Sequence, residues 1–251
     1  MRPLDGMSLL LPWLTDGTGT RLLTERAVLA VPDRRHFRRW VTLREASREH
    51  LVPFEPQWPD DELTRAGWRR RLKRYRHDRR HDMGYAYLVM RRSDGALVGG
   101  VTLSNVRRGI SQSASVGYWT GSSFVRQGYA GEALAAILKH AFEVLELNRI
   151  EAACMPVNRA SIRVLERAGF RHEGLARSYL RINGRWEDHL LFARLRHDRG
   201  VALQRSEVAV MDGSGEAGLG LSASSRQAGA GVETAQASKT GDTPSADGWA
   251  A

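Results

Sequence analysis

The chain has 251 residues, a formal net charge of +10 and a 42% share of aliphatic, aromatic and cysteine residues, enough for a packed core and too much for a wholly disordered or fibrous chain. Its single cysteine, Cys154, excludes an internal disulfide framework and any multi-cysteine metal site, and fits a reducing, cytoplasmic setting. No apolar run reaches the ~20 residues that cross a bilayer.

Residues 1–20 read as an N-terminal arm. Their short apolar stretch follows Asp5, contains Pro12 and leads to no small-residue cleavage site, which is not the pattern of a signal peptide. Ala27 to Val31 reads as a strand stopped by Pro32. Phe37, Trp40, Val41 and Arg44 then take helical spacing to about Ser47. Three prolines between His50 and Pro59 predict irregular chain. Arg65 to Arg80 holds nine Lys or Arg in sixteen residues, with Trp68, Leu72 and Tyr75 at helical spacing, so the charges decorate an amphipathic helix. That face is either simply solvated or turned to an anionic partner, ribosomal RNA or an acidic protein surface.

Tyr85 to Met90, Leu97 to Leu103 and Ser113 to Thr120 read as three strands, the first two joined by the turn Ser93-Asp94-Gly95. After a loop from Ser122 to Gly128, Leu134, Ile137, Leu138, Ala141, Phe142 and Leu145 mark one apolar helix face. Arg149 to Met155 is a strand. Arg159 to Ala168 is a helix closed by Gly169. Asn183-Gly184 predicts a hairpin between LARSYLRI and RWEDHLLFARL. The order gives a mixed α/β sheet with helices on its faces. From Arg205 onward three Lys or Arg stand against six Asp or Glu in a Gly-, Ala- and Ser-rich stretch. Residues 198–251 therefore read as linker and tail, and 21–197 as the domain.

The sequence of strand, Val125-Arg126-Gln127-Gly128-Tyr129-Ala130-Gly131 and helix is an anion cradle in principle. Glycine lets a ligand approach the backbone, and the N–H groups at a helix start are free and favoured by the dipole. There is no GxGxxG run, nor a Lys-Ser/Thr pair after the loop. The segments VGYWTGSSFVRQGYAGEAL, RIEAACMPVNRASIRVLERAGF and YLRINGRWEDHLLFARL, in that order, resemble the GNAT superfamily of N-acetyltransferases. The last two, with the upstream FEPQWP loop, resemble its ribosomal-protein-alanine (RimJ-type) branch. The resemblance covers about residues 20–197.

It implies a single mixed, mostly antiparallel central sheet flanked by helices, and acetyl-CoA as co-substrate, with no metal. The backbone of Arg126, Gln127, Gly128, Tyr129, Ala130 and Gly131 would hold the pyrophosphate. The strand ending at Tyr118 and Trp119 would splay from the strand ending at Cys154 to admit the pantetheine arm, and Asn158 would bond that arm or the loop beside it. Val125 departs from the Gln or Arg common at its place. Tyr179 would be the acid for the leaving thiolate, or an ordinary strand tyrosine. Ser161 would contact the sulfur, or cap a helix. Where relatives carry a base the strand has Ala153. Glu151, two residues before it on the same face, is either that base or a salt-bridged surface residue.

The implied activity is acetyl transfer to a protein N-terminal α-amine, of a ribosomal protein in that branch. Two alternatives stand beside it: a small-amine acetyltransferase acting on an aminoglycoside or polyamine, and a ribosome-assembly or RNA-binding factor whose transferase site is secondary or lost. His77 and His81, one helical turn apart, lack a third ligand and read as exposed histidines. Cys154 reads as a small core residue. Asp188 and His189 adjoin in a strand and face opposite ways, so they form no dyad.

Overall fold

The computed structural model describes residues 21–198. The readings made of the N-terminal arm and of the tail lie outside the described residues. Eight strands form one sheet: β1 (Arg21–Leu23), β2 (Ala27–Ala30), β3 (Tyr85–Arg91), β4 (Leu97–Arg107), β5 (Ser113–Thr120), β6 (Arg149–Cys154), β7 (Arg171–Ile182) and β8 (Arg185–Leu195). Their spatial order is β1-β2-β3-β4-β5-β6-β8-β7. Every pairing is antiparallel except β5 with β6, so the sheet is mixed and mostly antiparallel, as expected.

Strand alternation sends side chains to two cores. Tyr87 and Val89 of β3, Val101 and Leu103 of β4 and Ile150 and Ala152 of β6 meet Leu134, Ile137 and Leu138 of helix α4 (Tyr129–Lys139) and Leu165 of α5 (Arg159–Arg167). On the opposite face Leu88, Met90, Leu97 and Trp119 meet Trp40 of α1 (Phe37–Ala46) and Trp68 and Leu72 of the basic helix α3 (Arg65–Arg80). A strand covered on both faces is apolar at consecutive positions, and Ala86 to Met90 are all buried.

Several elements depart from the sequence reading. The three-residue β1 is too short to show a period. The proline-rich stretch from His50 begins inside one turn of helix, α2 (Arg48–Leu51), followed by a 3-10 turn, Val52–Phe54; Pro53 fits there because the first residues of a helical turn need no N–H partner. The apolar face expected to run to Leu145 leaves α4 at Lys139 and ends in a π-type turn, His140–Val144, closed by Leu145 N–H donating to the His140 carbonyl at 3.0 Å. β7 starts at Arg171 and is interrupted by a bulge between Ala176 and Leu180, where Ser178 has φ +46°. Asn183 and Gly184 turn the hairpin with φ +43° and +85°, the doubly left-handed turn that Asn-Gly predicts.

Candidate active site

The parallel pairing of β5 with β6 stops early. Ser113, Ala114 and Ser115 pair with Arg149, Ile150 and Glu151. Beyond them Val116 to Thr120 pair only with β4, and Ala152 to Cys154 only with β8. The sheet opens there into a wedge whose edges carry unpaired backbone groups, an arrangement that accepts an extended, amide-bearing ligand.

At one side of the wedge Tyr118 lies 2.8 Å, hydroxyl to hydroxyl, from Ser161 in the first turn of α5 and donates to the Ser161 carbonyl at 3.3 Å. Burial pushes the Tyr118 phenol well above its ordinary range. Ser161 is itself buried, and its N–H donates to Asn158 Oδ1 at 3.1 Å. The helix cap is therefore Asn158, and the Ser161 hydroxyl faces Tyr118. Cys154 is fully buried and its thiol is pushed up to about 11 by that burial, which suits a core residue and not a nucleophile. The Trp119 indole points away from the wedge into the second core, with the Arg44 guanidinium 5.1 Å from its ring, so only its backbone borders the opening.

The loop leading into α4 has two left-handed residues, Arg126 at φ +59° and Gly128 at φ +84°. The first intrahelical bond runs from Glu132 N–H to the Gly128 carbonyl at 3.1 Å. The N–H groups of Tyr129, Ala130 and Gly131 precede it and point out of the helix start. A Cβ at Gly131 would meet nothing within 4 Å, so the space in front of the loop is open. The Tyr129 ring is buried edge-on to Phe124, with centroids 6.4 Å apart; its backbone alone faces the cradle. Gln127 Nε2 is turned back to the Ser123 carbonyl at 2.9 Å.

Sequence reasoning missed the two residues that hold this loop. Glu132, in the first turn of α4, is bound by Thr24 and by Arg26, whose guanidinium lies 2.8 Å from it. Arg26 also donates to the Gln127 carbonyl at 3.1 Å and stacks over Tyr129 at 4.8 Å. A carboxylate in the first turn suits the helix dipole but would repel a bound phosphate; Arg26 offsets that charge. The signal lay between residues 106 positions apart in sequence, beyond the reach of local pattern.

Glu151 lies on the exposed side of β6 with Arg149 at 2.8 Å, and Arg149 also pairs with Glu173. Tyr179 stands in the β7 bulge, half exposed, its ring 6.0 Å from that of His189. The wedge brings together Tyr118, Ser161 and Cys154; Glu151 and Tyr179 sit on the far side of β6 and on β7. The FEPQWP loop meets the last hairpin directly, with Asn183 N–H donating to the Glu55 carbonyl at 2.9 Å.

On α3, Arg65, Arg69, Lys73, Arg76 and Arg80 are exposed along one stripe, while Arg70 pairs with Asp61. His77 and His81 stack on each other at 4.2 Å. Among the described residues no group of three or more His, Cys, Asp or Glu could hold a metal ion, and no helix is long and apolar enough to cross a membrane.

Residues 26–171 match the acetyltransferase (GNAT) domain family. The chain belongs to that family. It is 31% identical over 173 residues to the [ribosomal protein uS5]-alanine N-acetyltransferase of Escherichia coli, covering 69% of this chain and 89% of the relative. It is 38% identical over 156 residues to the probable N-acetyltransferase YjcK of Bacillus subtilis, covering 62% and 86%. Among solved structures it resembles Mycobacterium smegmatis RimJ in complex with CoA-disulfide, with a TM-score of 0.64 and 37% identity over 67% of this chain and 81% of that one. It also resembles the ribosomal-protein-S5-alanine acetyltransferase of Vibrio fischeri, with a TM-score of 0.67 and 29% identity over 71% and 97%.

This GNAT protein is an N-acetyltransferase with acetyl-CoA as donor, and its residues fit that co-substrate. The open space at Gly131 and the outward N–H groups of the α4 start suit a pyrophosphate, and the wedge suits a pantetheine arm. When bound, acetyl-CoA supplies the thioester carbonyl. Gly128→Val should raise the CoA dissociation constant at least tenfold, because a β-branched residue is strained at φ +84° and its Cβ would lie 3.2 Å from Arg26 Nη2. Calorimetry on the folded variant checks this; unchanged affinity would remove the loop from the site.

Proposed function

We propose that this enzyme acetylates the α-amine of a protein N-terminus, that of a ribosomal protein. The observation that carries the reading is the contact between the Glu55 carbonyl and Asn183 N–H, which joins loop and hairpin into one wall beside the wedge. An extended peptide end fits against such a wall. Relatives whose names specify ribosomal-protein alanine or serine acetylation support it at 31% and 30% identity.

The reaction needs a neutral amine, a donor to the developing oxyanion and a proton for the departing thiolate. A protein α-amine titrates near ~7.7–8.0 and lysine near ~10.4, so far more of the α-amine is ready to attack at pH 7. In this reading Tyr179 or Ser161 gives the proton to sulfur. Glu151 serves as an ion-pair partner of Arg149 rather than as the base. A polycationic small amine would need acidic walls; the hairpin instead exposes Arg177, Arg181 and Arg185. The exposed cations of α3, Arg69, Lys73, Arg76 and Arg80 among them, suit an anionic surface on the acceptor's assembly, and ribosomal RNA is the partner they would meet there.

A peptide beginning with Ala or Ser and carrying one internal Lys, incubated with acetyl-CoA and mapped by fragmentation, tests the assignment. We expect more than tenfold preference for the α-amine. Label on the lysine, or labelling of aminoglycosides or polyamines alone, would overturn it.

A further inference from the structure

β5 and β6 part beyond Ser115 and Glu151, and a hydrogen-bonded contact spans the gap that they leave. Tyr118 is carried by the length of β5 that β6 no longer pairs, and Ser161 by the first turn of α5, which follows β6. Their hydroxyl oxygens are 2.8 Å apart. The Tyr118 ring packs on the core under α4 and α5, so this bridge floors the wedge on that face. A ligand threaded between the strands, with its pyrophosphate on the start of α4, lies against it.

The direction of the bridge follows from its acceptors. Tyr118 has one hydrogen to give. It lies toward Ser161, whose carbonyl accepts it at 3.3 Å and whose Oγ is nearer at 2.8 Å. A carbonyl cannot donate, so the phenol is the donor in this arrangement. Ser161 Oγ then accepts from Tyr118, and its own hydrogen is turned elsewhere. Sulfur is within its reach. The Cys154 thiol is raised mainly by burial, and a hydrogen bond with the Ser161 side chain works against that rise. The Ser161 backbone cannot drift, because its N–H donates to Asn158 Oδ1 at 3.1 Å. A thiol is a weak acceptor, and an acceptor that carries charge is a strong one. A thiolate formed in the wedge therefore draws the Ser161 hydrogen away from Cys154.

Resting on the reading in which Ser161 serves the departing sulfur, we propose that Tyr118 is a positioning residue, whose hydroxyl holds Ser161 so that the Ser161 hydrogen points at the acetyl-CoA sulfur as it leaves. The amine nitrogen forms its bond to the thioester carbon and sheds a proton to solvent. The C–S bond breaks and its electron pair leaves on sulfur, where the Ser161 O–H donates a hydrogen bond to the new charge. The proton that completes the thiol comes from solvent, directly or by way of Tyr179. Tyr118 does not supply it: burial holds that phenol in its protonated form. Its part is orientation, and it acts through Ser161.

Tyr118→Phe keeps the ring and removes the hydroxyl. With acetyl-CoA and the Ala- or Ser-initiated peptide, we expect the single-turnover rate of acetyl transfer to fall about tenfold, and that of Ser161→Ala at least as far. The acetyl-CoA dissociation constant should stay within twofold in both, since the contact strengthens only as charge develops on sulfur. The double variant should be no slower than Ser161→Ala, because without the serine hydroxyl Tyr118 has nothing to orient. A Tyr118→Phe rate within twofold of wild type would overturn the proposal, and so would losses that multiply in the double variant. A loss of rate matched by equal losses of CoA affinity and thermal stability would also overturn it, making the bridge a structural tie alone. If the wild-type protein labels only small amines, the acceptor reading fails, and the same three variants are compared on that amine, so the two failures are separate.

Discussion

Arg44→Met should destabilise the protein by about 3–5 kcal/mol and lower Tm by roughly 6–20 °C for a domain of this size. Arg44 is 1% exposed. Its guanidinium binds both Glu55 carboxylate oxygens, at 2.6 and 2.7 Å, and approaches Glu62 at 3.5 Å. It also lies over the Trp58 ring at 4.1 Å. Glu62 keeps a second cation, Arg71, at 2.6 Å. Among the described residues the Glu55 carboxylate also accepts from the Trp58 indole N–H, at 2.7 Å. Removing Arg44 therefore strands a buried carboxylate, and the cost comes from that unpaired charge more than from the lost attraction.

The double variant Arg44→Met/Glu55→Gln removes both charges while leaving an acceptor for Trp58, and should regain at least half the loss. Urea melts of the two variants decide it: a single-variant loss below about 1 kcal/mol, or a double variant worse than the single, would show that the pair is not what holds the loop. Because the Glu55 backbone also receives the hairpin at Asn183, the single variant should raise KM for the acceptor peptide more than for acetyl-CoA.

The sheet and its helices were legible because burial imposes period. Trp40 and Arg44, Trp68 and Leu72, and Leu134, Ile137 and Leu138 recur at helical spacing, and each set reaches a core. Asn183-Gly184 set a turn that few other residue pairs allow. The cradle was legible as a loop between strand and helix, because glycine and a helix start are local features. What stayed hidden depends on partners far apart in sequence: Arg26 on Glu132, Arg44 on Glu55, Tyr118 on Ser161. His189 was hidden for a different reason. Its Nε2 is buried without a hydrogen-bond partner among the described residues, and a sequence shows which groups exist but not which are left without a partner. The bulge at Ser178 was equally invisible, since Arg177-Ser178-Tyr179 carries no glycine to mark a left-handed residue.

Acidification between pH 6.5 and 4 should destabilise the protein by about 3 kcal/mol through His140 alone. His140 opens the π-type turn after α4 and is 4% exposed. Neither ring nitrogen has a hydrogen-bond partner among the described residues. Tyr85 and Tyr87 meet the ring edge-on at 5.9 and 6.2 Å. Burial, helped by the nearby Arg79 charge, lowers its pKa to about 4. The native state therefore resists protonation, while the unfolded chain takes up a proton at the ordinary value of about 6.5. Above pH 6.5 both states are neutral and the full stability is present. As pH falls, the unfolded state binds the proton first and gains free energy, until the native His140 also titrates near 4. His36 and His189 shift in the same direction, also through burial, and add to the slope. The carboxylates Asp33, Asp82 and Glu132, all lowered from their ordinary values, contribute mainly at lower pH. His140→Leu removes the largest of the histidine effects, so its stability between pH 7 and 4.5 should fall markedly less than that of the wild type. Denaturant melts across that range provide the measurement. Parallel curves for the two proteins would mean that His140 takes up its proton equally well folded and unfolded, through a partner or water that reaches its ring.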